Sequence, residues 1–206
     1  MINILQIIKT LEETYLNPIC ALTYKKDYEL LFAARLSAQC TDARVNLITP
    51  VLFKRYQTLE EIATADITEL EDIIHSCGFY KTKARDIVMA AATLVGEYDG
   101  KVPDTMEKLL RIPGVGRKTA NLMLGDLFGK PSIVVDTHCI RITNRIGLVK
   151  TKDPVKIETE LREIIPPDKS TAFCHRLVLH GRVVCTARNP KCSKCTIFAY
   201  CERNMV

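Results

Sequence analysis

Lys118 and Asp136 are the side chains of this sequence best suited to act together chemically. A neutral lysine amine can attack an electrophilic carbon and form a Schiff base. A nearby carboxylate can stabilise developing positive charge or help move protons. Each also has a plainer role. Lys118 could simply bind phosphate, and Asp136 could cap a helix, a position aspartate favours. Spacing does not say whether the two converge. A second chemical set closes the chain: Cys185, Cys192, Cys195 and Cys201, spaced Cys-x6-Cys-x2-Cys-x5-Cys. Four thiolates so close together imply one sulfur site. Iron–sulfur clusters and structural zinc both take four cysteines. The other five cysteines (Cys20, Cys40, Cys77, Cys139 and Cys174) have apolar neighbours and read as small buried hydrophobes.

These residues need elements to position them. Leu110-Arg-Ile-Pro-Gly-Val-Gly-Arg-Lys-Thr-Ala120 has the pattern of a helix-hairpin-helix. Pro113 should stop the first helix. Gly114 and Gly116 permit positive φ and leave no Cβ in front of an approaching ligand. Val115 can anchor the turn between the helices. The second helix then offers its N-terminal N–H groups as an anion site, with Arg117 and Lys118 beside it. Such an element grips phosphate backbone without reading bases. Ile74 to Ala84 resembles this stretch weakly. Asp136 follows Ile133-Val-Val135, a β-like run too short to indicate a sheet. Nearly everything else has helical periodicity: Ile4 to Tyr15, Tyr28 to Ala38, Ala43 to Tyr56, Lys83 to Tyr98, Arg117 to Phe128, Thr137 to Ile146, Val155 to Ile164 and Ala172 to Val184. A further helix should open at residues 103–107. Thr58 with Glu61, and Asp66 with Glu69, resemble capping boxes.

With 47% hydrophobic and 26% charged residues, the composition is that of an ordinary globular protein. No apolar run approaches the ~20 residues that span a membrane. The N-terminus lacks the marks of a signal or transit peptide, so an intracellular protein is expected. The net charge of +5 hides an asymmetry: −4 over residues 1–100 and +9 over residues 101–206. A basic half suggests an anionic partner, most commonly nucleic acid.

Taken together, Leu36-Ser-Ala-Gln-x-Thr-Asp42, the hairpin, Val135-Asp-Thr-His138, His180-Gly-Arg182 and the four cysteines resemble endonuclease III, a helix-hairpin-helix DNA glycosylase/AP lyase family. The resemblance runs nearly end to end. It implies an all-α fold of two helical domains with a DNA-binding cleft between them. One domain is a six-helix barrel, residues 20–131, containing the hairpin. The other joins residues 1–19 to 132–206 and holds a [4Fe–4S] cluster on the four cysteines. The resemblance makes Lys118 and Asp136 catalytic. It implies base excision repair of oxidised pyrimidines in duplex DNA, with cleavage 3′ to the abasic site through a lysine Schiff base. Gln39 matches the residue that fills the gap left by a flipped nucleotide. Phe79 falls where the family often has a leucine wedge, an exchange that bears on opposite-base preference. Gly114, Gly116, Arg117, His138, Arg188, Lys191 and Lys194 are implied DNA contacts, and His138 could instead orient Asp136. A cytoplasmic, nucleoid-associated monomer with no membrane partner is expected. Adenine-specific mismatch glycosylases of the superfamily lack a lysine at position 118 and usually extend further beyond the cysteines. A mismatch-specific thymine glycosylase is the alternative enzyme, and a non-catalytic DNA-binding module with a four-cysteine metal site the alternative class.

Overall fold

The computed structural model describes residues 3–203. Residues 1, 2 and 204–206, the ends of the expected cluster domain, lie outside them. Among the described residues the secondary structure is entirely helical. None of the helices is long and apolar enough to cross a membrane. The chain divides into two compact units: Cys20–Phe128, and a discontinuous unit joining residues up to Ile19 to those from Gly129 onward.

The discontinuous unit begins with α1 (Ile4–Thr14), capped by the Asn3 side chain. It buries Ile7, Ile8 and Leu11. The continuous unit holds α2 (Asp27–Leu36), α3 (Asp42–Arg55), α4 (Leu59–Ala63), α5 (Ile67–Ile74), α6 (Tyr80–Tyr98), α7 (Met106–Leu109) and α8 (Arg117–Asp126). Its core gathers Leu30, Leu31, Phe32, Leu36, Leu52, Ile62, Leu70, Ile74, Ile87 and Leu94. The long α6 packs on α2, α4 and α5, and α2 also packs on α3 and α8. The capping box at Thr58 forms in full. The one expected at Asp66 forms by half. Asp66 accepts from the backbone of Thr68 and Glu69, but the Glu69 carboxylate turns to Arg55 and to the Tyr56 hydroxyl at 3.0 Å. A bidentate guanidinium outcompetes a single backbone N–H.

The discontinuous unit resumes with residues 129–136, which lie in no helix or strand. Ile133 and Val135 point into the core, and Ser132 N donates to Ser170 Oγ at 3.0 Å. This is the physical content of the β-like run: a buried apolar segment without a sheet, with Val134 also packed on the same core. Then come α9 (Thr137–Ile146), α10 (Pro154–Ile164) and α11 (Ser170–Val183), with single 3₁₀ turns at Pro167–Lys169, Cys192–Lys194 and Phe198–Tyr200. Helix α11 packs on α9 and α1, around Phe173 and Leu177.

Cys77, Cys139 and Cys174 are buried as expected, while Cys20 and Cys40 are half-buried. Phe32 is 1% exposed at the centre of the continuous unit. Phe32→Ala is expected to cost about 3–5 kcal/mol of that unit's stability, measured by urea unfolding.

Candidate functional site

The hairpin departs from expectation in two details. Helix α7 ends at Leu109, well before Pro113. The chain closes instead through tight turns, Arg111 N to Lys108 O and Ile112 N to Leu109 O, both 3.1 Å. Gly114 has φ +74°, but Gly116 has φ −96° and serves as the N-cap of α8. The two glycines therefore answer different needs. A Cβ on Gly114 would lie 2.8–2.9 Å from Asp86 and Arg35. Those two form an ion pair, Arg35 Nε to Asp86 Oδ2 at 2.7 Å, that ties α2 to α6 beneath the turn. A Cβ on Gly116 would meet nothing within 4 Å. Neither positive φ nor crowding holds position 116 to glycine.

Gly116 contributes no side-chain cap to the first N–H groups of α8. Arg117 and Lys118 occupy its first turn, both exposed, while Val115 packs toward the core. Burial pushes the Cys20 thiol up to about 11, with the Asp126 and Asp42 charges adding to it and Lys118 opposing. Gln39 and Phe79 are both exposed, each at the tip of a turn, and both have φ +54°.

In the other unit, Asp136 is the N-cap of α9 and accepts from Cys139 N at 2.8 Å through Oδ1. The capping role is real, and it occupies one carboxylate oxygen. His138 packs onto the α11 backbone, where a Cβ on Gly181 would collide with its ring; Arg141 Nη2 lies 3.1 Å from its Nδ1.

Helix α9 also carries two arginines that sequence reasoning passed over. Arg141 donates to the Cys185 carbonyl from Nε at 3.1 Å and from Nη2 at 2.9 Å. Arg145, 5% exposed, donates to Thr186 O at 2.7 Å, Ala187 O at 3.0 Å and Cys185 Sγ at 3.4 Å. The helix capped by Asp136 therefore holds the first cysteine segment in place. The only advance signal was an Arg-x3-Arg repeat inside a helix bearing Asp136.

The four cysteines are unpaired by disulfides and line one cavity with Val184, Pro190, Phe198 and Arg203. Its empty volume is about 400 Å³, open mouth included. Among the described residues, no three ligands gather tightly enough for a single ion. A cavity ringed by four separated thiols suits a cube of iron and sulfide better than one zinc. Arg203 N donates to Cys201 Sγ at 3.3 Å, and His180 Nε2 lies 3.5 Å from Cys195 Sγ. Burial raises the Cys195 and Cys201 thiols, so a cationic metal core is what would hold them ionised. Arg188, Lys191 and Lys194 are exposed on the same loop.

Gly114→Ala is expected to lose more than about 1 kcal/mol of stability, from the positive φ and the crowding together. Gly116→Ala should stay within about 0.5 kcal/mol of wild type yet weaken duplex DNA binding. Thermal melts and binding titrations on both variants check the contrast. Arg145→Leu should release iron faster to a chelator, followed at ~400 nm, where cysteine-ligated clusters absorb.

Residues 32–167 match the family of HhH-GPD superfamily base excision DNA repair proteins. Residues 185–201 match the iron–sulfur binding domain of endonuclease III. The endonuclease III of Synechocystis sp. is 44% identical over 197 residues, 95% of this chain and 90% of that one. The endonuclease III of Bacillus subtilis is 39% identical over 184 residues, 89% of this chain and 84% of its own. A solved structure of a trapped endonuclease III–DNA covalent intermediate superposes with a TM-score of 0.93 at 38% identity, covering 98% of this chain and 97% of that one. With the hairpin, the Asp136-capped helix and the four-cysteine cavity all in place, this chain belongs to the HhH-GPD superfamily of base excision DNA repair proteins, in its endonuclease III branch.

Proposed function

We propose that this chain removes oxidised pyrimidines from duplex DNA and cuts the strand 3′ to the resulting abasic site, with Lys118 as nucleophile and Asp136 as the assisting carboxylate. Its class, a base excision repair DNA glycosylase and AP lyase, follows from the family. The observation that carries the residue assignment is the α8 N-terminus: an exposed lysine in the first turn, beside uncapped N–H groups and a glycine with open space before it. That arrangement can hold a phosphate and place an amine against the adjoining sugar.

The target nucleotide is first extruded from the helix. The Lys118 amine bonds to C1′ as the glycosidic C–N bond breaks, and the base leaves with a proton. The amine loses its proton, the sugar ring opens, and a Schiff base results. That imine accepts electrons, so a proton leaves C2′ and the 3′ phosphate departs. The Asp136 carboxylate balances positive charge on the sugar and relays protons through the oxygen its helix does not use. Gln39 fills the vacated space and Phe79 wedges the opposite strand. Arg117, Arg188, Lys191 and Lys194 hold phosphates. His138 braces the N-terminal end of α9. The [4Fe–4S] cluster, when bound, supplies a rigid crosslink for residues 185–201. The enzyme would work in the cytoplasm, on the nucleoid.

Lys118→Gln should abolish the borohydride-trapped covalent adduct with duplexes carrying thymine glycol or an abasic site; an adduct that persists would remove Lys118 as nucleophile. Asp136→Asn keeps a capping side chain, so its melting temperature should hold while turnover falls about 10²- to 10³-fold. A T·G mismatch in the same substrate panel separates pyrimidine-damage activity from mismatch activity.

A further inference from the structure

We propose that Lys83 is a positioning residue for lesion recognition, its buried ammonium locking together the two loops that present Gln39 and Phe79. The inference rests on the roles given to those two side chains above.

Lys83 is 1% exposed, one of the largest fully buried side chains of the continuous unit. Its Nζ donates to three backbone carbonyls: Leu36 at 2.8 Å, Ala38 at 2.7 Å and Cys77 at 2.7 Å. Three ammonium N–H groups meet three acceptors, whereas a neutral amine would turn a lone pair toward one of them. No carboxylate is among these partners, and burial lowers the Lys83 pKa. A methionine would fill the volume without that desolvation cost. What only the ammonium can do is gather carbonyls from separate loops.

The loops are specific. Leu36 ends α2, and Ala38 immediately precedes Gln39. Cys77 lies two residues before Phe79, in the turn between α5 and α6. Gln39 and Phe79 both adopt left-handed backbone, φ +54°, a conformation that non-glycine residues hold only when their surroundings impose it. Lys83 N also donates to Phe79 O at 3.1 Å, closing the first turn of α6. The loops meet at Gly78, where a Cβ would lie 3.8 Å from Gln39 O. Phe79 is 67% exposed and Gln39 is exposed, so their own packing does little to aim them. Their direction is set through the backbone that Lys83 holds. The weak resemblance between residues 74–84 and 110–120 gains a meaning here. Both are helix–turn–helix units with a positive-φ glycine, but one opens its turn to a ligand and the other locks its turn from inside.

The test is a double-mutant cycle on cluster-loaded protein. Lys83→Met and Lys83→Gln are made in wild type and in a Gln39→Ala/Phe79→Ala background. Each is assayed for binding to a duplex with a reduced abasic-site analogue and to the intact duplex. Fluorescence of 2-aminopurine opposite the lesion reports local unstacking. Lys83→Met should lower the preference for lesion over intact duplex about tenfold, with intact-duplex affinity held, and should add almost nothing in the double-alanine background. Lys83→Gln, which keeps two donors, should fall between. An unchanged preference, or an equal loss in both backgrounds, overturns the proposal while leaving the two loop roles intact. A wild-type preference in the double-alanine protein removes the loop roles, and this proposal with them. If Lys83→Met does not retain the ~400 nm band of a cysteine-ligated cluster, the cycle is read on Lys83→Gln. Collapse of both variants would make Lys83 a fold residue only and likewise overturn the proposal.

Discussion

Every helix leaves its first N–H groups without intrahelical partners, and how each set is satisfied organises this protein. Asn3, Thr41, Thr58, Asp66, Thr105, Asp136 and Asp153 each turn a side chain back onto a helix start. Helices α2, α6, α8 and α11 have no such cap, and at α8 the N-cap is Gly116, which has no side chain to offer. The positive end of that helix dipole faces out beside Arg117 and Lys118. What sets α8 apart from the other uncapped starts is the pairing of a glycine N-cap with two exposed basic residues in its first turn. Asp136 is the complementary case, in which the cap itself carries the carboxylate proposed to assist the reaction.

The second organising feature is the use of buried cations against backbone carbonyls. Arg141 and Arg145 do this for the Cys185–Ala187 segment, and Lys83 does it for the turns at Ala38 and Cys77. Loop carbonyls cannot satisfy each other without regular structure, so a cation with several donors replaces the missing ladder. This lets irregular loops keep one shape.

Much of this was legible in the sequence. Helix periodicity located most elements within a few residues, because apolar spacing and caps are local signals. The hairpin and cysteine spacings pointed to their chemistry for the same reason. Non-local choices were not legible. Glu69 could have completed a capping box and instead joined Arg55 and Tyr56. Pro113 was credited with ending a helix that had already ended at Leu109. Arg145 and Lys83 gave no signal of their partners, which are carbonyls 41 and 47 residues away, and any residue type can supply a carbonyl. A pattern of side chains carries no record of such contacts.

Asp136 caps a helix and carries the charge proposed for the reaction, and that pairing narrows what position 136 can become. One oxygen closes the first turn of α9, the helix whose arginines grip the cysteine segment. Asparagine would preserve the turn and lose the charge. Glutamate would preserve the charge, but its longer arm is not among the favoured N-caps. Alanine would forfeit both. The one other acid would thus weaken the cap of the helix that grips the cysteine segment, so position 136 has little room to drift.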